Sequence, residues 1–484
     1  MTKSSAFFVA LTLFFSVSLS RSSAQEILPP PEDRMAKARS AEQALLDLQF
    51  FHKAKGMILP PGFPPVKAES PLTKGTLTLA AQVLNAQLGV IVDHGEVIGY
   101  HQIPYEGHRV GVIGCAMCHV GKAAGRVIPG LGNKNIDVSH LADIANQLMP
   151  AWYSIVSAEQ ILHPNDKVEG QLRENSQHFL ANLSNKKLAN HTQGLVPIGL
   201  IRQWFFQVAN QPLNDLTPGQ VKVPSLWGYG EKRKVGSFSD GFGNGLKPGW
   251  AIAVELVAGQ TPEGVREYLP KLNGAEDVLA DLLPPAYPFR IDAALAEKGE
   301  VLFNDTCSRC HGTYSRDIGG LPIFEKPKFV PSAKILTDEG RLRGVTPHFR
   351  ELVRTSPLND LIEQTDLGPG YMAPRLLGIW ARFPYLHNGS VPTVFDLLTP
   401  QEKRPALFSL REAGELVRFD MTKLGLAVDP KFHDEELTHQ AQRGARWVYD
   451  TRLNEHSNQG HSFDSIEALS DDDRYALIEY LKTL

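Results

Sequence analysis

The chain has 484 residues and a mass of 53.4 kDa, enough for two or three ordinary domains and a sizeable buried core, which excludes a miniature disulfide-stapled scaffold. Hydrophobic residues make up 42%, charged residues 21% and aromatics 8%, close to the averages of a folded water-soluble chain and far from those of a disordered one. A formal charge of -4 with a pI near 6.5 provides no basic field, which excludes a charge-driven nucleic-acid binder.

In chain order, residues 1–24 read as an export signal. Lys3 supplies the positive start, Ala6 to Val17 the apolar stretch, and Ser22-Ser23-Ala24 a small-residue cleavage site, so the mature chain is expected to begin at Gln25. The apolar stretch is shorter than the roughly 20 residues a spanning helix needs, and no later run of about 18 apolar residues follows. The expectation is a periplasmic or secreted protein without stable membrane insertion. A Pro-rich lead at Pro29 to Pro31, a helix near Ala41 to Lys53 and a Pro-rich bend at Pro60 to Pro65 precede the first cysteines. A break is expected at Leu282-Leu283-Pro284-Pro285-Ala286-Tyr287-Pro288, because consecutive prolines block helix and limit ladder bonds. Asp292 to Asn304 then reads as an amphipathic helix. The chain closes on another, with Ser470 as N-cap, Asp471 to Asp473 in the first turn and an apolar stripe of Tyr475, Leu477, Ile478 and Leu481.

All four cysteines fall into two copies of one pattern, Cys115-Ala116-Met117-Cys118-His119 and Cys307-Ser308-Arg309-Cys310-His311. This is the haem c attachment motif. Two thiols two residues apart reach the two vinyl groups of one haem, and the adjacent histidine turns its imidazole onto the iron. A thioredoxin-like redox pair explains each Cys-x-x-Cys but not the histidine that follows both times. A four-cysteine zinc site needs both pairs around one ion, without the usual knuckle context, and two simple disulfides leave both histidines unexplained. The reading is therefore two covalent haem c groups, bound through Cys115, Cys118, Cys307 and Cys310, with His119 and His311 as axial ligands.

Two further patterns repeat. Pro129 lies ten residues after His119 and Pro322 eleven after His311. The backbone carbonyls beside these prolines are expected to accept the second ring hydrogen of each histidine, the device that orients metal-bound imidazoles. Downstream, Val223-Pro224-Ser225-Leu226-Trp227-Gly228 matches Ala373-Pro374-Arg375-Leu376-Leu377-Gly378, with the turn dipeptides Asp240-Gly241 and Asn388-Gly389 beyond. A duplicated unit is the economical explanation. The expected architecture is mainly α: two c-type cytochrome domains, residues 25–285 and 286–484, each around one covalent haem, with long irregular loops and few short strands.

The stretch from Pro374 to Leu398, including Phe383-Pro384-Tyr385-Leu386-His387-Asn388-Gly389-Ser390-Val391-Pro392-Thr393, resembles the segment found in bacterial di-haem cytochrome c peroxidases and their relatives. Asn454 to Leu484, with Asn458-Gln459-Gly460-His461 before the final helix, is more similar to the di-haem rubber-oxygenase branch. The glutamate and glutamine pair by which peroxidases handle peroxide is not identifiable here.

The resemblance implies a division of labour. A haem with two strong axial ligands shuttles electrons, whereas one with an open position binds oxygen or peroxide. His461 resembles the C-terminal histidine that would close the second haem, and Met372 is the alternative ligand by resemblance to the peroxidases. His387 reads as a structural turn residue. For the first haem, His94, His101, His108 and His140 are the nearby candidates, and the family implies that this haem is the open one. Trp227 and Phe242 are similar to aromatics that the relatives place over or between the haems, with Trp227 shielding the distal face or carrying electrons and Phe242 keeping the pocket dry. The implied function is an oxidoreductase whose N-terminal haem reacts with peroxide or oxygen while the C-terminal haem relays electrons. A small soluble protein would serve as electron donor or acceptor. A pure electron carrier is the competing reading.

Overall fold

The computed structural model of the chain describes residues 32–47, 88–140 apart from 95, 106 and 107, 192–229, and 261–484 apart from 317–321, 326–327, 358, 363 and 365–367, with isolated residues between. The export signal, the bend at Pro60 to Pro65, the Asp240-Gly241 turn and Phe242 lie outside the described residues.

The first described helix, Glu32–Asp47, begins nine residues before the expected start at Ala41. The Pro-rich lead places no proline beyond residue 31, so the backbone is free to turn helical at once. Ala41 and Leu45 on this helix are fully buried.

The expected helix after the proline break spans Ala293–Thr306, and the last helix spans Asp471–Leu481. Both are capped by the residues the sequence marks. The Asp292 carboxylate accepts from the Leu295 amide at 3.0 Å, while Ser470 accepts from the Asp473 amide at 3.2 Å and Asp473 reaches back to the Ser470 amide at 3.3 Å. Each such cap contributes about 1 kcal/mol. The two helices cross in close contact because Gly299 has no side chain: a β-carbon there would stand 1.9 Å from the Ala476 carbonyl oxygen. Phe303 meets Tyr480 beside this crossing at 5.1 Å between ring centres.

The strands are short, two to six residues, and pair into small antiparallel sheets. Each Cys-x-x-Cys-His turn runs into a hairpin, Val120–Ala123 with Arg126–Pro129 after the first and Thr313–Arg316 with Pro322–Glu325 after the second. Pro129 ends its hairpin opposite Val120, but Pro322 begins its second strand opposite Arg316. The two prolines therefore do not occupy equivalent places, despite their similar distance from the histidines.

The stronger duplication lies downstream. Leu195–Pro197 pairs with Gln220–Lys222, and Phe329–Pro331 pairs with Gly370–Met372, in the same register: Leu195 opposes Lys222 and Phe329 opposes Met372. In both copies the proline ends the first strand and a helix follows at once, Ile198–Val208 in one and Ser332–Ile335 in the other. Proline suits that junction, since its missing N–H is one that a helix start leaves unpaired. The second strand then leads into Pro224 or Pro374 and a turn at Gly228 (φ +73°) or Gly378 (φ +62°).

One apolar core runs through both halves, joining Cys115, Val120 and Trp227 to Leu282, Phe303, Leu377, Trp380 and Leu477. A second, smaller core gathers Phe205 and Phe206 against Phe349 and Val353. The halves are also tied by charge, through a bidentate pair between Arg446 and the buried Asp137. Among the described residues no helix is long and apolar enough to cross a membrane.

Candidate haem-binding site

The two cysteine turns have matching backbones. The His119 amide donates to the Cys115 carbonyl at 2.9 Å and the His311 amide to the Cys307 carbonyl at 3.0 Å, closing one helical turn that brings both sulfurs and the ring to one side. Burial pushes the Cys118 thiol up to about 11 and the Cys307 thiol up to about 12. Such thiols are poor thiolate nucleophiles at neutral pH, unlike those of a dithiol redox catalyst. None of the four is in a disulfide, and the described residues contain no cluster of three or more His, Cys, Asp and Glu side chains that would make a protein-only metal site.

Both histidines are oriented by the repeated proline segments. His119 Nδ1 lies 3.1 Å from the Pro224 carbonyl oxygen and His311 Nδ1 lies 3.0 Å from that of Pro374. A carbonyl can only accept, so Nδ1 carries the proton and donates, and Nε2 keeps its lone pair for a metal. The expectation that carbonyls beside Pro129 and Pro322 take this role is corrected. The Pro129 carbonyl instead accepts from Trp227 Nε1 at 3.1 Å, and Pro322 is held in its hairpin. The physical reason is placement: the Pro129 carbonyl is taken by the Trp227 indole, whereas the carbonyls of Pro224 and Pro374 come within reach of the rings just after each strand ends.

Burial lowers His119 to about 4, with the Pro224 bond opposing, and lowers His311 as well. Neutral imidazole is the metal-binding form. Both histidines are half-buried.

Facing His311 stands His461, with ring centres 6.2 Å apart and planes inclined at 51°. This separation accommodates one metal ion bonded at about 2 Å to a nitrogen of each ring. His461 is held by its loop. Its own φ is +54°, the preceding Gly460 has φ +82°, and the His461 amide donates to the Ile335 carbonyl at 2.9 Å. Buried Arg404 clamps the same loop, donating to the carbonyls of Asn458 at 2.6 Å and Gly460 at 2.9 Å. A non-glycine residue in the left-handed region costs on the order of 1 kcal/mol or more, so the surrounding contacts must impose it. Burial, with His311 and Arg404 nearby, pushes His461 down to about 3. The residues present thus fit a haem c at the second motif: two thiols, an oriented proximal imidazole and a facing imidazole.

Met372 lies in the Gly370–Met372 strand opposite Phe329. His387 stacks on Tyr371 at 5.1 Å, with its Nε2 buried and unpaired among the described residues. Trp227 is wedged between the two copies of the repeat. A β-carbon at Gly130 would stand 2.5 Å from Trp227 Nε1, and one at Gly378 would stand 2.8 Å from the same ring. Of the histidines near the first motif, His94 is exposed beside Asp93, His101 lies in a strand opposite Val112 with Nε2 buried, His108 opposes Tyr105, and the His140 amide bonds Asp137.

Sequence reasoning missed the Pro224 and Pro374 carbonyls and the Arg404 clamp. The repeat around the two prolines was the signal for the first pair. Nothing in the sequence pattern marks Arg404.

Residues 370–409 match the family model described as RoxA-like, cytochrome c-like, a span that contains Pro374 and the Pro374 to Leu398 stretch. Two uncharacterized proteins of Sinorhizobium fredii are similar to the chain. Protein y4iM is 30% identical over an alignment of 303 positions that covers 54% of this chain and 64% of that protein. Protein y4iJ is 40% identical over 121 residues, 24% of this chain and 18% of that protein. The chain therefore spans less than two thirds of the length of each of these relatives. The match at residues 370–409 supports a place among the rubber-oxygenase-like cytochromes, and such a cytochrome c-like domain implies covalently bound haem c.

Proposed function

We propose that the protein is an exported di-haem c-type cytochrome oxidoreductase, in which a C-terminal haem relays electrons and an N-terminal haem reacts with peroxide or oxygen. The observation that carries the reading is the duplicated arrangement of a Cys-x-x-Cys-His turn whose histidine donates to a proline carbonyl, His119 to Pro224 and His311 to Pro374, with His461 facing the second. Haem supplies one-electron and oxygen chemistry when bound.

The chain's own residues divide the tasks. The Pro374 carbonyl fixes the His311 ring, and the Gly460 loop and Arg404 hold His461 facing it, so these two imidazoles would hold the second haem and suit it to relaying electrons. The Pro224 carbonyl fixes His119 in the same way. Trp227 packs between the two copies, excludes water from their junction and provides an aromatic bridge from one to the other. The near-neutral net charge leaves a small soluble electron donor to be recognised by a local patch rather than a long-range field.

Three measurements test the reading. The reduced protein should bind carbon monoxide or cyanide at one haem, and binding at neither would leave a pure electron carrier. His461→Ala should convert one haem from low-spin to high-spin, and an unchanged spectrum would pass the ligand role to Met372. Turnover with hydrogen peroxide and a reduced cytochrome donor, run beside oxygen uptake, separates the peroxidase-like from the oxygenase-like reaction.

A further inference from the structure

Three basic side chains, Lys134, Lys222 and Arg382, converge where the two copies of the repeat meet. Lys134 is 7% exposed; its Nζ donates to the carbonyls of Lys122 at 2.9 Å and Ala381 at 3.1 Å and lies 3.6 Å from the centre of the Phe383 ring. Lys222 Nζ donates to the carbonyls of Arg382 at 2.8 Å and Pro384 at 2.6 Å. Arg382 donates to the Arg375 carbonyl, one residue beyond Pro374.

Their charge is not balanced by protein. Among the described residues no Asp or Glu pairs with any of the three, and the cations that bear on them are one another and Arg375: Lys222 on Lys134, Arg382 on Lys222, and Arg375 on Arg382. Backbone carbonyls and aromatic faces solvate a cation but do not neutralise it. Gathering like charges away from bulk water is unfavourable without a counter-charge, and burial beside these neighbours pushes Lys222 down to about 7 and Lys134 well below the usual lysine range. An arginine does not escape by losing its proton. Lys134 is buried on its own carbonyls, whereas Lys222 and Arg382 are half-buried and remain open to a ligand.

The position indicates the missing anion. Arg382 is tied to the carbonyl next to Pro374, which orients His311, and Lys222 lies two residues before Pro224, which orients His119. A haem carries two propionate carboxylates on one edge, and a guanidinium with an adjacent ammonium is suited to hold such a pair.

We propose that Arg382 and Lys222 form the seat for the propionates of the haem carried by Cys307, Cys310 and His311, with Lys222 reaching across from the other copy of the repeat. The inference rests on the haem reading and goes beyond it. It makes loading of the second haem a contact between the two halves of the chain, since one cation of the seat belongs to each.

The test uses the full-length, haem-loaded protein and the variants Arg382→Gln, Arg382→Lys and Lys222→Gln. Each haem's reduction potential is followed by optical redox titration at several pH values, with resonance Raman bands of the propionates recorded alongside. In Arg382→Gln the potential of the C-terminal haem should fall, because a nearby positive charge favours the reduced iron. It should also become pH-dependent near neutrality, because an unpaired buried carboxylate takes up a proton there. Arg382→Lys should restore much of the wild-type potential, Lys222→Gln should show the same fall to a smaller extent, and the N-terminal haem should not move. If Arg382→Gln does not accumulate, Lys222→Gln carries the test alone. Unchanged potentials, pH profiles and propionate bands in the glutamine variants that load haem would overturn the proposal. Absence of covalent pigment from the denatured wild-type chain would instead overturn the haem reading beneath it.

Discussion

The segment 220–229 and the segment 370–379 share a backbone and differ in what they carry. In both, a three-residue strand leads through a proline whose carbonyl holds a histidine into a turn closed by a left-handed glycine. The Tyr229 amide donates to the Leu226 carbonyl at 3.1 Å, and the Ile379 amide donates to the Leu376 carbonyl at 3.0 Å. Yet at matching positions one copy has Lys222 and Trp227 where the other has Met372 and Leu377. Even a shared need is met differently: the Leu226 amide bonds the Gly130 carbonyl at 2.8 Å, and the Leu376 amide bonds the Tyr314 hydroxyl at 2.7 Å. The main chain keeps the part that positions an imidazole. Side chains at the same register vary the surroundings.

The copies also face each other. A β-carbon on Gly378 would stand 2.8 Å from the Trp227 ring and 2.4 Å from Pro284, while one on Gly228 would stand 2.8 Å from Nη1 of Arg375. The first obstacle is rigid and the second is the end of a flexible side chain.

Five variants test this comparison. The largest effect should come from the cysteines: Cys307→Ser with Cys310→Ser should halve the covalent pigment retained by the denatured chain, and Cys115→Ser with Cys118→Ser should do the same. Full retention in either variant would mean that the corresponding copy holds no haem. Gly378→Ala should destabilise the protein by about 3 kcal/mol in denaturant unfolding, combining left-handed strain with overpacking against Trp227. Arg446→Met, which leaves the carboxylate of buried Asp137 without its bidentate partner across the halves, should cost about 2 kcal/mol, below a fully enclosed pair because Arg446 is 29% exposed. Gly228→Ala should cost only about 1 kcal/mol, since Arg375 can move and the strain term alone remains. Equal losses for Gly228→Ala and Gly378→Ala would break the asymmetry between the copies.

Much of the local structure was legible in the residues. Asp292 and Ser470 mark helix starts because a short oxygen-bearing side chain satisfies amides that the helix leaves open. The prolines at 284 and 285 mark a break, and the structure has no helix between Leu279 and Ala293. The start of the first helix at Glu32 was misplaced because the apolar pattern strengthens only from Ala41, while the preceding polar turns carry little periodic signal. The match between Leu195-Val196-Pro197 and Phe329-Val330-Pro331 is not legible in the residues alone, because three residues of ordinary strand composition stand out only when their ladders share one register.

By itself the sequence determined the chemistry that needs particular atoms at a particular spacing. Four thiols and two imidazoles in Cys-x-x-Cys-His order leave little choice of cofactor, and they did so without any knowledge of the fold. The tertiary structure alone shows which groups orient and face each imidazole. The carbonyls of Pro224 and Pro374 belong to the backbone, which every residue possesses, so no letter distinguishes them from the carbonyls beside Pro129 and Pro322. His461 lies 150 residues beyond His311, and its place 6.2 Å from that ring depends on Gly460, Arg404 and the Ile335 carbonyl holding one loop. Covalent attachment is a property of neighbours in the chain. Axial ligation and charge balance are properties of neighbours in space.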